Sequence, residues 1–160
     1  VAPTSGYAIQ EHEVTWAELD AYLATHPSEM FSRPEWVPSS PEARASYAAT
    51  GVPWAVATRY CESLGGQLPS EEQWEYAARG PERRPSPWGS APLDRLLTRV
   101  YQGDAGHPGP VMKSSQDQTP EPGPVPVRDL LGNALEWTRD VYRHDRSATI
   151  LQHVGFRCVR

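Results

Sequence analysis

Apolar positions in this chain come in short periodic runs, set apart by long stretches thick with proline and glycine. From Gly6 to Val14 polarity is mixed in a way that predicts a strand, with Tyr7 and Ile9 on one face. Thr15 followed by Glu18 at the third helical position predicts a capping box, and Trp16, Leu19, Tyr22 and Leu23 then share a helical face. His26-Pro27 ends that helix. Ser40-Pro41 opens a second, short helix that Gly51 closes. A third runs from about Trp54 to Leu64, with Trp54, Ala57, Cys61 and Leu64 as its inward stripe and Gly65-Gly66 as its stop. A fourth starts at Ser70, which Gln73 completes as a second capping box, and stops at Gly80. Its inward face is Trp74, Ala77 and Ala78.

Beyond residue 80 the pattern fails. "PERRPSPWG", "GDAGHPGP" and "TPEPGPVP" hold too many breakers for regular structure. So long a run without structure is either partly disordered or pinned by a metal or by aromatic packing. "DLLGNALEWTRD" then turns and extends, and "HVGFRCVR" closes the chain as a strand.

Composition agrees with a single loop-rich domain. The 160 residues include 17 prolines and 12 glycines, and at 38% hydrophobic they are apolar enough for a packed core. Six tryptophans and seven tyrosines supply large rings with polar handles, suited to a core built on irregular backbone. The net charge of −5 leaves no basic stripe, so nucleic acid is not an expected partner. No apolar run is long enough for a membrane span, and no signal peptide is visible. The start at Val1, without methionine, suggests a module excised from a longer chain.

Four blocks stand in order: "EVTWAELDAYL" (13–23); "YCESLGGQLPSEEQWEYAARG" (60–80) with "PWG" (87–89); "DLLGNALEWTRD" (129–140); and "GFRCVR" (155–160). In order and spacing they resemble the formylglycine-generating enzyme, or sulfatase-modifying factor, family over most of the chain. The resemblance implies one α+β domain over residues 1–160, a variant of the C-type lectin fold. That fold has a few helices and short twisted antiparallel strands.

Oxidases of this family convert a cysteine of a sulfatase to formylglycine with copper held by two cysteines. Those lie after an Arg-Gly-Gly-Ser-Trp motif, between the Trp-Thr block and the closing Gly-Phe-Arg. Here that interval is "VYRHDRSATILQHV", with neither the motif nor a cysteine. Copper is therefore not expected. A second branch uses non-haem iron and a histidine triad, which this sequence lacks. His144 and His153 flank the shortened interval without metal-ligand spacing, and His107 reads as exposed. Ser114-Ser115 lacks a nucleophile elbow.

The resemblance implies that Cys61 and Cys158 pair as a structural disulfide. The alternative is two buried thiols. A link closing about 100 residues is worth roughly 4–5 kcal/mol in the chain-entropy model, and it favours an extracytoplasmic setting.

The resemblance also implies one structural calcium, held by Asp129 and Glu136 through side chains and by Gly132 and Ala134 through carbonyls. The alternative is that Asp129 caps a turn and Glu136 pairs with an arginine such as Arg139. A second family calcium site should be empty, because Arg99 precedes "VYQG" where an asparagine belongs, and a guanidinium cannot ligate calcium. Trp74, Trp88 and Trp137 are expected in the core, and Arg157 is expected to pair with a buried acid such as Glu75.

The functional expectation is a non-catalytic module binding a protein or small ligand. Relatives of that kind are joined to kinases, proteases or NTPases in bacterial signalling and defence proteins. Loop residues Trp36, Arg83, Arg84, Tyr142 and His144 are its candidate surface. The rivals are a divergent copper-dependent oxidase generating formylglycine and a domain that only holds a neighbouring one in place.

Overall fold

Both predicted capping boxes are built. In a computed structural model describing residues 6–29, 31–89, 106–114, 117–120, 126–140 and 152–160, helix α1 spans Trp16–Thr25 and α4 spans Glu71–Arg79. The Thr15 hydroxyl accepts from the Glu18 amide, and the Glu18 carboxylate accepts from Thr15 N–H at 2.8 Å. Ser70 and Gln73 repeat the exchange. The Asp140 carboxylate adds a further acceptor, taking Glu71 N–H at 2.8 Å. At the far end Gly80 has φ +66°, the left-handed region glycine enters without a Cβ penalty.

The short second helix is only one turn, α2 (Pro41–Arg44). Tertiary hydrogen bonds displace its predicted continuation. Tyr47 O accepts from Trp16 N–H, and Ala48 N–H donates to Gly109 O. α3 spans Trp54–Ser63, but its buried face is Val56, Ala57, Tyr60 and Cys61 rather than the predicted stripe. Leu64 falls at the C-cap and is 38% exposed.

The closing segment is the spine. Its residues Val154–Gly155 form β2, which pairs in parallel with β1 (Leu135–Glu136). Farther along, Phe156 O and Cys158 O accept from Val14 and Gln10 N–H, and Val159 exchanges two bonds with Gln67. A side chain at Gly66 would strike Val159 O at 2.5 Å, so this approach needs glycine. Antiparallel pairing among the described residues is limited to isolated bridges, such as Ile9 with Val159 and Thr15 with Ala48. Among the described residues the antiparallel pairing is thus short, as where Ala8 and Arg160 exchange two bonds, and it lies beside one parallel pair.

The core gathers on this spine. Val14, Trp16, Leu19, Val52, Ala57, Tyr60, Leu68 and Phe156 form one buried cluster. Each large side chain fully buried contributes about 1.5–3 kcal/mol. Tyr60 meets Tyr22 and Phe156 edge-on, with ring centres 5.3 and 5.4 Å away. The fully buried tryptophan is Trp16, while Trp74, Trp88 and Trp137 are half-buried. Trp137 packs on the cluster and donates from Nε1 to Val52 O. Cys61 and Cys158 are joined, tying α3 to the spine across 97 residues of sequence. Among the described residues, no helix is long and apolar enough to cross a membrane.

Candidate functional site

Arg157 on the spine is fully buried, and its guanidinium organises the polar interior. Nε and one Nη reach the two oxygens of Glu136 at 2.8 and 2.6 Å, a bidentate pair. The other N–H groups donate to the carbonyls of Gln10, Glu11, Arg128 and Asp129. Trp74 Nε1 donates to the same Glu136 at 2.8 Å. The expected partner Glu75 is instead on the exposed face of α4, four residues before its own partner Arg79. Arg139 bonds Gln67 rather than Glu136. Helical periodicity placed Glu75 correctly on its helix, but nothing local says which acid lies opposite a residue 82 positions later.

Around this pair the charge is one-sided. Glu13 is fully buried, and neither carboxylate oxygen has a hydrogen-bond partner among the described residues. Burial pushes its carboxyl well above the usual range; Arg157 opposes that, and Glu136 and Asp129 add to it. Asp129 is also raised, chiefly by burial, against the Met112 N–H that donates to it. Asp129 has φ +54°, a left-handed turn position that aspartate tolerates better than most residues. Asp117, 1% exposed, is spanned by the turn: its carboxylate accepts from Leu131 and Gly132 N–H. Arg157 has its pKa raised: burial works against its charge, but the surrounding acids outweigh it.

These residues test the expected calcium. Glu13, Asp129 and Glu136 surround the Arg157 guanidinium, while Asp117 is taken up by the amides of the turn. Oxygen donors suit a hard cation. Among the described residues, however, no three acidic, His or Cys side chains are gathered as a metal site, so a calcium here would rest on Asp129, Glu136 and backbone carbonyls. The oxygens of Glu136 already accept from Arg157 and Trp74, so a cation there would share them through their remaining lone pairs.

A second constellation joins three loops. Trp36 stacks on His107 with ring centres 4.3 Å apart and planes at 4°, and on His153 at 4.7 Å and 14°. His107 Nδ1 lies 3.3 Å from His153 Nε2. Their ring centres are 5.5 Å apart, so the nitrogens lie near the line between them and face each other. A tetrahedral zinc would accept a nitrogen-to-nitrogen separation of about 3.3 Å, but it needs both lone pairs turned toward one point, and here the nitrogens point at each other. A shared proton fits. His107 is therefore half-buried in a ring stack, not exposed as its sequence context suggested. Aromatic packing does pin this part of the proline-rich stretch.

Of the other candidate surface residues, Arg83 is exposed with φ +52° and lines a recess of about 90 Å³ with Glu75 and Tyr76. Arg84 is half-buried at the end of α4, where its carbonyl accepts from Arg79 Nε at 2.8 Å. Tyr142, His144, Arg99 and Ser115 lie outside the described residues.

The family model of the sulfatase-modifying factor enzyme 1-like domain matches residues 2–160. The chain belongs to this family. The formylglycine-generating enzyme of Bos taurus is 31% identical over 126 residues, 72% of this chain and 33% of that one. The inactive C-alpha-formylglycine-generating enzyme 2 of Bos taurus is 32% identical over 106 residues, 62% of this chain and 35% of that one. The serine/threonine-protein kinase pkn1 of Chlamydia pneumoniae is 27% identical over 101 residues, 63% of this chain and 15% of the kinase. Among solved structures, PvdO from Pseudomonas aeruginosa superposes with a TM-score of 0.65 at 22% identity, covering 96% of this chain and 80% of that one. The chain spans about a third of the length of the formylglycine-generating relatives it matches. The family thus has members named as active and as inactive, and the site residues must separate them.

Proposed function

We propose that this chain is a non-catalytic binding module with a sulfatase-modifying-factor scaffold related to C-type lectins, carried in a larger bacterial signalling or defence protein. One observation carries the reading. The sequence has two cysteines, and both are consumed in the buried Cys61–Cys158 bond. No thiolate remains in this chain to grip copper. The likeness to a relative named inactive supports this, and the likeness to a segment of a kinase supports a place beside other domains.

In this reading Asp129, Gly132, Ala134 and Glu136 hold a structural calcium. Its chemistry there would be charge neutralisation rather than catalysis, offsetting the surplus of buried carboxylates. The disulfide favours an oxidising, extracytoplasmic setting.

The test pairs anaerobic Cu(I) titration with turnover of a cysteine-bearing, sulfatase-type peptide. The reading expects no tight thiolate-bound copper and no formylglycine. Stoichiometric copper binding with aldehyde formation would establish the divergent oxidase instead. Calcium is tested separately by isothermal titration of chelator-treated protein, where Asp129→Ala should abolish the binding heat.

A further inference from the structure

Between α1, α2 and the loop that joins them lies a cavity of about 550 Å³. That is within the range of small-molecule sites. It belongs neither to the Arg157 block nor to the ring stack. Its apolar walls are Trp16, Leu23 and Phe31, and its charged wall is Asp20, Arg33 and Arg44. Trp16 and Phe31 are stacked, with ring centres 6.2 Å apart, which makes an aromatic floor.

The charged wall is unequal in both number and mobility. Among the lining residues two guanidiniums face one carboxylate, and Glu42, outside the lining, also interacts with Arg44. Arg44, with its side chain 7% exposed, is fixed by Asp20 and by the carbonyls of Pro38 and Ser39. Arg33 is 42% exposed and reaches Asp20 through a single nitrogen. Its other N–H groups have no partner among the described residues. Its guanidinium carbon lies 5.1 Å over the Trp16 ring, so Arg33 covers the aromatic floor. Beneath it, Trp16 is fully buried, yet its Nε1–H has no acceptor among the described residues. A buried indole N–H ordinarily finds one.

We infer that this cavity binds a small amphipathic carboxylate, of the aryl-acetate kind. The carboxylate takes the N–H groups Arg33 leaves open, and the apolar body lies against Leu23, Phe31 and the Trp16 ring. Arg33 swings off the ring to meet the ligand, uncovering the floor. Asp20 then remains neutralised by Arg44, so no charge is stranded. A neutral ligand would leave Arg33 without a charged partner once it turns from Asp20, and a cation would be repelled by it.

Saturation-transfer NMR and calorimetry on the whole chain test this with indole-3-acetate and phenylacetate, each against its primary amide. The acids should bind and the amides should bind about tenfold more weakly or worse, the loss of a charge-assisted pair. Arg33→Gln should bring acid and amide to equal affinity. Ala24→Trp, which adds bulk to the cavity wall from an exposed position on α1, should abolish binding by both while circular dichroism stays unchanged. Absence of acid binding at millimolar concentration, equal affinity for acid and amide in the unaltered protein, or undiminished binding in the Ala24→Trp protein would each overturn the inference.

Discussion

The block around Arg157 and the stack under Trp36 are both built from residues far apart in sequence, yet they hold together differently. Arg157 is fully buried, and each donor on its guanidinium meets an oxygen. The stack is half-buried, and ring contact and a nitrogen-to-nitrogen bond are among the contacts that hold it. The first ties the spine to the start of the chain and to the 128–136 turn. The second sits where three loops meet. One region of this chain is thus locked by saturated buried charge, while in the other stacked rings carry much of the contact.

Substitutions should expose that difference, beginning with the largest loss. Arg157→Leu strands Glu136 without a counter-charge, and denaturant unfolding should show about 3–5 kcal/mol lost. The double substitution Arg157→Leu with Glu136→Gln should recover part of it. A loss below 1 kcal/mol for the single variant would mean that the block does not lock the fold. Removing the disulfide with Cys61→Ala and Cys158→Ala should cost about 2–5 kcal/mol by the same measurement. His107→Ala, which removes a stacked ring and its hydrogen bond, should cost only about 1–2 kcal/mol. If it cost as much as Arg157→Leu, the two regions would not differ as described.

Glu13 gives the smallest effect, and its sign is opposite. Its carboxyl is raised in the folded state, so its contribution to stability is fully present below the ordinary glutamate range. That contribution is lost as pH rises through the elevated value. Chelator-treated Glu13→Gln should therefore be more stable than the parent at neutral pH, and the gain should shrink on acidification. A parent stability that rises with pH relative to Glu13→Gln would contradict the assignment.

The sequence made the helices legible where their signals were local. Thr15 with Glu18, and Ser70 with Gln73, need only neighbours three residues apart, and both boxes formed. α2 was read too long because what stops it is Ala48 and Tyr47 bonding to other segments, which no local signal records. Arg157 was read correctly as paired with a buried acid, but the wrong acid was chosen. The choice depended on where the spine lies across β1. The His107–His153 contact was invisible for the same reason: 46 residues separate the rings, and neither has a periodic pattern around it. Glu13 could have been noticed. It stands just before the buried Val14 in a run heading into the core, where an ionisable residue asks for a partner.

Both cysteines of the chain are joined in the structure. Alkylation of the unfolded protein without reductant, read by intact mass, tests that bond most directly. The account predicts no label before reduction and two afterwards, whereas two labels on the unreduced protein would contradict it.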